Sequence, residues 1–330
     1  TESTTMKHCY LHLGFHKTGT TSFQLTVRKN SNLLEEQGII LPQFHGKNNK
    51  ISANHSGQIR KLFHAKTRNL SSQESISQYQ KEFSKLLKED RHILISGEGI
   101  STLPKKSIES LVDEIAKNGF MVKPFALVRS PYAYLNSALQ QTIKNGQHHE
   151  LIQFSRQCLA ADEITSKLPN TLKSIQTLRQ IFGTTIEFYP FEQALNDLNG
   201  PVAFILQDIL KLENTSSFAI NSANESQSNI STRVTNLLNA NVDQPKDDAI
   251  PKATTKALEK KYGKEKFLLT EAEFQLIESK FIEIKNGMLK CLGPQFVDES
   301  VQFSKQFTAV EINKILGMVS KAHHSLSTIK

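Results

Sequence analysis

The chain lacks the features that mark a membrane protein, a disulfide-stabilised protein or a metalloprotein. Its longest apolar stretches fall far short of the ~18 to 20 residues that a membrane-spanning helix needs, and its first residues lack the apolar core of a signal peptide. Cys9, Cys158 and Cys291 are widely spaced, with neither a CxxC pair nor histidines at ligand spacing. We therefore expect a soluble, cytoplasmic protein whose cysteines are buried as small hydrophobic residues.

Acidic residues are scarce in the first part of the chain. The 330 residues carry a formal net charge of +8, and residues 1–70 hold ten Lys or Arg but only three acids, an excess of seven positive charges. Such a field favours an anionic ligand, whether a nucleotide, a phosphorylated or sulfated sugar, or nucleic acid. A solvated basic surface without a ligand is the alternative that charge alone leaves open.

Short apolar runs alternate with helical patterns, which predicts an α/β fold with a central parallel sheet. The predicted strands are residues 9–13, 39–41, 93–96, 121–129 and 184–189. The predicted helices are residues 20–37, 57–66, 74–89, 101–117, 130–145, 168–182 and 190–211, and we expect a polar surface loop at 214–231 followed by mostly helical sequence. With 38% hydrophobic residues the chain can form one large domain, with the sheet in about 8–190 and a helix-rich portion in about 191–330.

Polar side chains follow three of the predicted strands. Lys17 comes after the first strand, Glu98 after the strand at 93–96, and Arg129 ends the next. Ligands of parallel sheets sit beyond the carboxyl ends of the strands. We therefore expect these three residues to lie at one edge of the sheet.

The first of these positions lies in "LGFHKTGTTSF", residues 13–23, which is predicted to join a strand to a helix. The unpaired N–H groups and the positive dipole end of such a helix favour an anion. The lysine precedes Gly19 by two residues, whereas a Walker P-loop places it after its second glycine. The strand ends carry Ser96, Arg129 and Tyr189, and not a Walker-B aspartate. An ordinary nucleotide triphosphatase is therefore disfavoured.

The segment "HKTGTTS" resembles the 5′-phosphosulfate-binding loop of sulfotransferases that use 3′-phosphoadenosine 5′-phosphosulfate (PAPS). About 110 residues later, "VRSPYAYLNSALQQTIKNG" is similar to the 3′-phosphate-binding motif of the same family, with Arg129, Pro131 and Ser137 at matching positions. The two motifs stand in the family's order, each at a predicted strand-to-helix junction. The resemblance implies a P-loop-NTPase-like parallel sheet flanked by helices.

The resemblance also implies the roles of the site residues. Lys17 would stabilise the charge that develops on the bridging oxygen as the sulfuryl group leaves, in a reaction similar to phosphoryl transfer. The residues implied to cradle the 5′-phosphate are Lys17, Thr18, Gly19, Thr20, Thr21 and Ser22. Arg129 and Ser137 would hold the 3′-phosphate, since Ser137 lies about two helical turns beyond Ser130. The product would be adenosine 3′,5′-bisphosphate (PAP), and no metal is required.

A general base is needed to take the proton of the acceptor hydroxyl. Glu98 is the first candidate, because it follows a buried strand and stands between two glycines that would leave room for substrate. His55 and His45, in the long basic loop at 43–56, are competing candidates. His16 stands beside Lys17, where it would either reach the sulfuryl group or stabilise the loop.

The acceptor is expected to be a hydroxyl-bearing small molecule, with a carbohydrate favoured by the polar, basic segment at 42–70. The chain has no tryptophan, so stacking on a sugar would fall to Tyr, Phe or His, which weakens this expectation. Nucleic acid is not expected as a partner. Two alternatives remain at this stage: an atypical P-loop nucleotide kinase that uses ATP and magnesium, and a basic module that binds polyanions without catalysis.

Overall fold

The computed structural model describes residues 6–46, 49–152, 168–197, 199–221, 226–240 and 252–327. The chain divides into two compact units. The first consists of Thr1–Ser130, Thr171–Ala223 and Met288–Val297. The second consists of Pro131–Asn170, Asn224–Gly287 and Asp298–Lys330. Within the described ranges no helix combines the length and the apolar character needed to cross a membrane.

The first unit contains a five-stranded sheet, which confirms the predicted α/β class. Its strands are β1 (Lys7–His12), β2 (Ile39–Ile40), β3 (His92–Ser96), β4 (Phe120–Val128) and β5 (Glu187–Pro190). They lie in the order β2-β3-β1-β4-β5, and every neighbouring pair is parallel. β3 buries four of its five residues, as expected of a parallel strand covered on both faces, and the central strand β1 buries three of its six.

The first unit also contains α-helices. They are α1 (Thr20–Lys29), α2 (Ser31–Glu36), α3 (Ser56–Phe63), α4 (Ala65–Asn69), α5 (Gln73–Leu86), α6 (Lys105–Lys117), α8 (Leu172–Phe182), α9 (Phe191–Asn196) and α10 (Gly200–Phe204), with α7 (Pro131–Lys144) belonging to the second unit. Phe23 of α1 shares a buried cluster with Phe125 and Leu127 of β4. Side chains alternate across a strand, so Ala126 and Val128 point to the opposite face.

The described part of the second unit is helical. Its helices are α7 (Pro131–Lys144), α11 (Asn229–Asn239), α12 (Lys252–Tyr262), α13 (Glu271–Gln275), the greater part of α14 (Glu278–Leu292), and α15 (Ala309–Ser327). The guanidinium of Arg233 on α11 is buried against the carboxylate of Glu273 on α13, with Nη2 donating to Oε2 at 2.9 Å. Thr270 caps α13 in a reciprocal capping box with Glu273.

The helix predicted at 20–37 is broken in the structure. Asn30 ends α1, and its side-chain amide donates to the carbonyl of Thr26 at 2.7 Å. The Asn30 side chain also contacts Ala219, because Oδ1 accepts the Ala219 N–H at 3.1 Å and Nδ2 donates to the Ala219 carbonyl at 3.2 Å. The Asn30 side chain thus bonds to a backbone segment outside the helix, Asn30 itself has non-helical backbone angles, and α2 begins at Ser31.

Two further expectations can be compared with the structure. The surface loop predicted at 214–231 is shorter than expected, because α11 begins at Asn229, and residues 222–225 lie outside the described ranges. Cys9 is buried as predicted, whereas Cys291 is half-buried. Cys158 lies outside the described residues.

Candidate functional site

The carboxyl ends of β1, β3 and β4 lie side by side at one edge of the sheet. His12 of β1 is in register with Ser96 of β3 and with Phe125 of β4. Backbone bonds continue past the strands, because Gly97 N–H donates to His12 C=O at 3.1 Å and Leu13 N–H donates to Phe125 C=O at 2.9 Å. The structure therefore brings the loops that carry Lys17, Glu98 and Arg129 to the same edge.

The loop between β1 and α1 has an unusual backbone. Lys17 has φ of 67°, a left-handed conformation that non-glycine residues rarely adopt, and Gly19 follows with φ of 73°. The hydroxyls of Thr18 and Thr20 are buried and donate to the carbonyl of Phe15 at 2.7 and 3.3 Å. These two hydroxyls are therefore used within the loop. Thr18 and Thr20 would contact an anion through their backbone N–H groups instead.

The first turn of α1 supplies the remaining predicted anion-binding groups. The N–H groups of Thr20 and Thr21 have no acceptor within the helix, and the positive end of the helix dipole lies at the same place. Thr21 is exposed and Ser22 is half-exposed. Gly14 allows this turn to pack closely, since a Cβ there would lie 2.7 Å from Cγ2 of Thr20.

Arg129 connects the two sequence motifs within the first unit. Its Nη1 donates to the carbonyl of Lys17 at 3.1 Å, and its guanidinium lies over the ring of Phe191 at 5.3 Å. Its Nε is 3.8 Å from a carboxylate oxygen of Glu192, and the side chain is only 13% exposed. Arg129 is therefore held in one place, with the left-handed residue of the loop as one of its partners.

Glu192 at the start of α9 is a residue that the sequence analysis missed. Its carboxylate accepts the backbone N–H of Ser130, at 3.1 Å to Oε2, and the Ser130 hydroxyl, at 3.0 Å to Oε1. Glu192 thereby fixes the segment that follows Arg129. It stands more than 60 residues from either partner, and no local signal in the sequence links them. Ser137 is half-buried on α7 in the second unit, and its predicted role beside Arg129 stays a prediction.

The structure pairs two predicted catalytic residues. Nδ1 of His16 lies 3.0 Å from Oε2 of Glu98, with side-chain exposures of 60% and 20%. The hydrogen bond from Glu98 raises the pKa of His16, while partial burial and the neighbouring charge of Lys17 oppose the rise. The sequence predicted that the loops carrying both residues lie at one edge of the sheet, but it contained no signal that the two side chains would pair.

The glycines around Glu98 serve a different purpose from the one expected. A Cβ on Gly97 would lie 2.5 Å from Oγ of Ser56, and a Cβ on Gly99 would lie 3.0 Å from Cβ of Ser56. The Ser56 hydroxyl accepts the backbone N–H of Gly99 at 2.8 Å. The space beside these glycines is thus filled by the start of α3, and the interpretation that it leaves room for substrate is not supported.

His55 and His45 are held by other parts of the first unit. His55 is 2% exposed, and its Nδ1 accepts the backbone N–H of Ser96 at 3.0 Å. Burial lowers the pKa of His55 to about 3, so it stays neutral and structural, and this geometry does not support its predicted role as the base. His45 is engaged by Glu82 of α5 at 2.8 Å.

A buried polar cluster lies beneath the candidate site. Nδ1 of His12 lies 2.8 Å from Oγ of Ser96, which also accepts the side-chain amide of Gln24 at 3.1 Å. The ring of His12 stacks on Phe125 with 4.9 Å between centroids. Burial lowers the pKa of His12 to about 3. This cluster ties the ends of β1 and β3 to α1 and so supports the loop that α1 follows.

No group of three or more His, Cys, Asp or Glu side chains that could hold a metal ion occurs among the residues that the structure describes. Comparison of the chain with protein-family models, with curated proteins and with solved structures gave no match.

Proposed function

We propose that the protein is a sulfotransferase that moves a sulfuryl group from PAPS to an acceptor hydroxyl by in-line displacement. The observation that carries the proposal is the hydrogen bond from Arg129 to the backbone of Lys17, at 3.1 Å. The two residues are 112 positions apart in the sequence and belong to two different motifs. One motif resembles the segment that binds the 5′-phosphosulfate of PAPS, and the other resembles the segment that binds its 3′-phosphate. Their contact supports the proposal, because one nucleotide with phosphates at its 3′ and 5′ positions could bind both motifs only if the motifs lie close together.

The local chemistry of the loop suits the 5′ end of this donor. The N–H groups at the start of α1 and the ammonium of Lys17 are groups that suit the negative charge that would develop on the oxygen that bridges sulfur and phosphorus. Lys17 would stabilise that charge, and Arg129 would bind the 3′-phosphate while it orients the loop. A carbohydrate hydroxyl is the proposed acceptor, on the strength of the polar, basic segment at 42–70.

The test is thermal stabilisation by PAP compared with ATP and magnesium. A ligand that binds the native state raises the free energy of unfolding by mass action, by about 2.7 kcal/mol at a hundred times its dissociation constant, and the melting temperature rises with it. We expect PAP to stabilise the protein at micromolar concentrations and ATP with magnesium to have a much weaker effect. The reverse order would favour the nucleotide kinase and contradict the proposal.

Arg129→Gln provides the matched variant for this test. It removes the guanidinium but keeps a polar side chain, and we expect it to weaken stabilisation by PAP at least tenfold in apparent dissociation constant. Arg91→Gln is the control, because Arg91 is an exposed arginine that pairs with Glu89 before the amino end of β3, away from the carboxyl ends of the strands. If both variants lost stabilisation by PAP to the same extent, only the overall charge would matter, as expected of a polyanion-binding module.

A further inference from the structure

The pair formed by His16 and Glu98 is asymmetric. The imidazole is 60% exposed and the carboxylate 20% exposed, so the ring is the outer member of the pair. Glu98 lies 3.0 Å from Nδ1, whereas Nε2, on the far side of the ring, has no hydrogen-bond partner among the residues described. A neutral imidazole whose Nδ1–H donates to a carboxylate keeps its lone pair on Nε2.

The carboxylate is well placed to hold the ring. Glu98 begins a short helical turn in which its own carbonyl accepts the hydroxyl of Ser101 at 2.8 Å. The next residue, Gly99, is tied to α3 on both sides, through its N–H to Ser56 and through its carbonyl to Nη2 of Arg60 at 3.4 Å. Glu98 is thus fixed by a turn, while His16 extends from the adjacent loop. In many enzymes the base that takes a proton from the nucleophile is itself oriented by a further side chain.

We propose that Nε2 of His16 is the general base of the transfer and that Glu98 is its positioning residue. This inference rests on the proposed function and reverses the sequence-based expectation that Glu98 takes the proton. The carboxylate selects the tautomer of the ring, aims Nε2 away from the protein and stabilises the imidazolium that forms.

The proposed transfer is a single in-line displacement at sulfur. The acceptor hydroxyl gives its proton to Nε2 of His16 while its oxygen forms a bond to the sulfur of PAPS. The bond between sulfur and the bridging oxygen breaks, and its electron pair stays on the 5′-phosphate of PAP, beside Lys17. The sulfated acceptor and PAP leave, and the imidazolium returns its proton to solvent.

The charges around His16 predict a pH dependence. Glu98 raises its pKa and Lys17 lowers it, with Arg60 lying behind the Glu98 turn on α3. A base must be unprotonated, so the rate should rise with pH through the raised pKa of His16. Glu98→Gln removes the interaction that raises this pKa, and the acid limb of the profile should therefore move to lower pH.

The experiment uses water as the acceptor, since hydrolysis of PAPS to PAP and inorganic sulfate requires the same base. Release of labelled sulfate is measured from pH 5 to pH 9. We expect His16→Gln to lower the rate by about 100-fold and to abolish the acid limb. We expect Glu98→Gln to lower the rate by about 10-fold and to shift the limb to lower pH, with Glu98→Asp retaining more activity. His64→Gln, which alters a histidine paired with Thr67, is the control and should match the wild type.

Two outcomes would overturn this inference. One is a His16→Gln variant that hydrolyses PAPS within about twofold of the wild-type rate while Glu98→Gln is inactive, which would make Glu98 the base. The other is an NMR titration in which the pKa of His16 is the same in the wild type and in Glu98→Gln. Thermal stabilisation by PAP, measured on every variant, separates this result from failure of the proposed function, because the latter would leave even the wild type unaffected by PAP.

Discussion

Lys17 combines a strained backbone with a side chain that the proposed reaction needs. The left-handed conformation costs a non-glycine residue roughly 1–2 kcal/mol, and its φ of 67° is held in place by the hydrogen bond from Arg129 to its carbonyl. Glycine would occupy the same conformation without this cost. Strain of this kind concentrates at functional sites, where the surrounding structure maintains it. Because glycine would fit this backbone better, we infer that lysine is present at position 17 for its ammonium group.

Two substitutions separate the backbone of Lys17 from its charge. We expect Lys17→Gly to stabilise the protein by up to about 1 kcal/mol, because glycine relieves the strain, and Lys17→Ala to give no such gain. Both should lower sulfuryl transfer by at least about 100-fold, since both lose the ammonium. Melting temperature and sulfate release from PAPS are measured together. An active Lys17→Gly variant would show that the loop needs the conformation and not the charge.

At the scale of helices and strands, local patterns were enough to predict the sheet and the positions of its loops. The apolar runs before Lys17, Glu98 and Arg129 all proved to be strands, and parallel pairing brought their ends together. Contacts between distant residues could not be predicted. The break at Asn30 depends on Ala219, and the anchoring of Ser130 depends on Glu192. Neither partner differs in type or spacing from an ordinary surface residue.

The junction between α3 and the Glu98 turn gives a prediction at this scale. A Cβ at position 97 would lie 2.5 Å from Oγ of Ser56 and 2.9 Å from the side chain of Ile100. Gly97→Ala should therefore destabilise the protein by about 1–3 kcal/mol through overpacking. In a Ser56→Ala background the added cost of Gly97→Ala should be smaller, because the closest atom is gone. Additive effects in this double-mutant cycle, measured by denaturant unfolding, would contradict the packing.

At the scale of the whole molecule, both compact units bury apolar clusters, and the second unit also buries an ion pair. The first unit buries the apolar faces of a parallel sheet, and the second buries an ion pair between Arg233 and Glu273, which are 1% and 8% exposed. Arg233 also donates to Asn229 and to the carbonyl of Leu268. Such a pair contributes little compared with well-packed apolar residues, but the loss of one member leaves the other buried without its counter-charge.

Glu273→Ala tests this pair. We expect it to destabilise the second unit by about 3–5 kcal/mol, because the guanidinium of Arg233 would remain buried without its carboxylate. The control is Glu283→Ala, which removes an exposed partner of Lys280 one helix further on and should cost less than about 1 kcal/mol. Hydrogen exchange of the α11 amides reports on this unit directly. Similar protection in the two variants would show that the buried pair is dispensable.

The buried histidines beneath the site make the stability of the first unit depend on pH. Burial lowers the pKa of His12 and of His55 to about 3, whereas an unfolded histidine titrates near 6.5. Below pH 6.5 the unfolded chain therefore binds more protons than the folded one, and the folded state loses stability as the pH falls. Two such groups give a slope of about 2.7 kcal/mol per pH unit at most between pH 6 and pH 4. The midpoint of unfolding by guanidinium chloride, measured from pH 7.5 to pH 4.5, should show this decline. A His55→Gln variant should show a shallower decline. A midpoint that does not change with pH in the wild type would contradict the assignment of both rings as neutral.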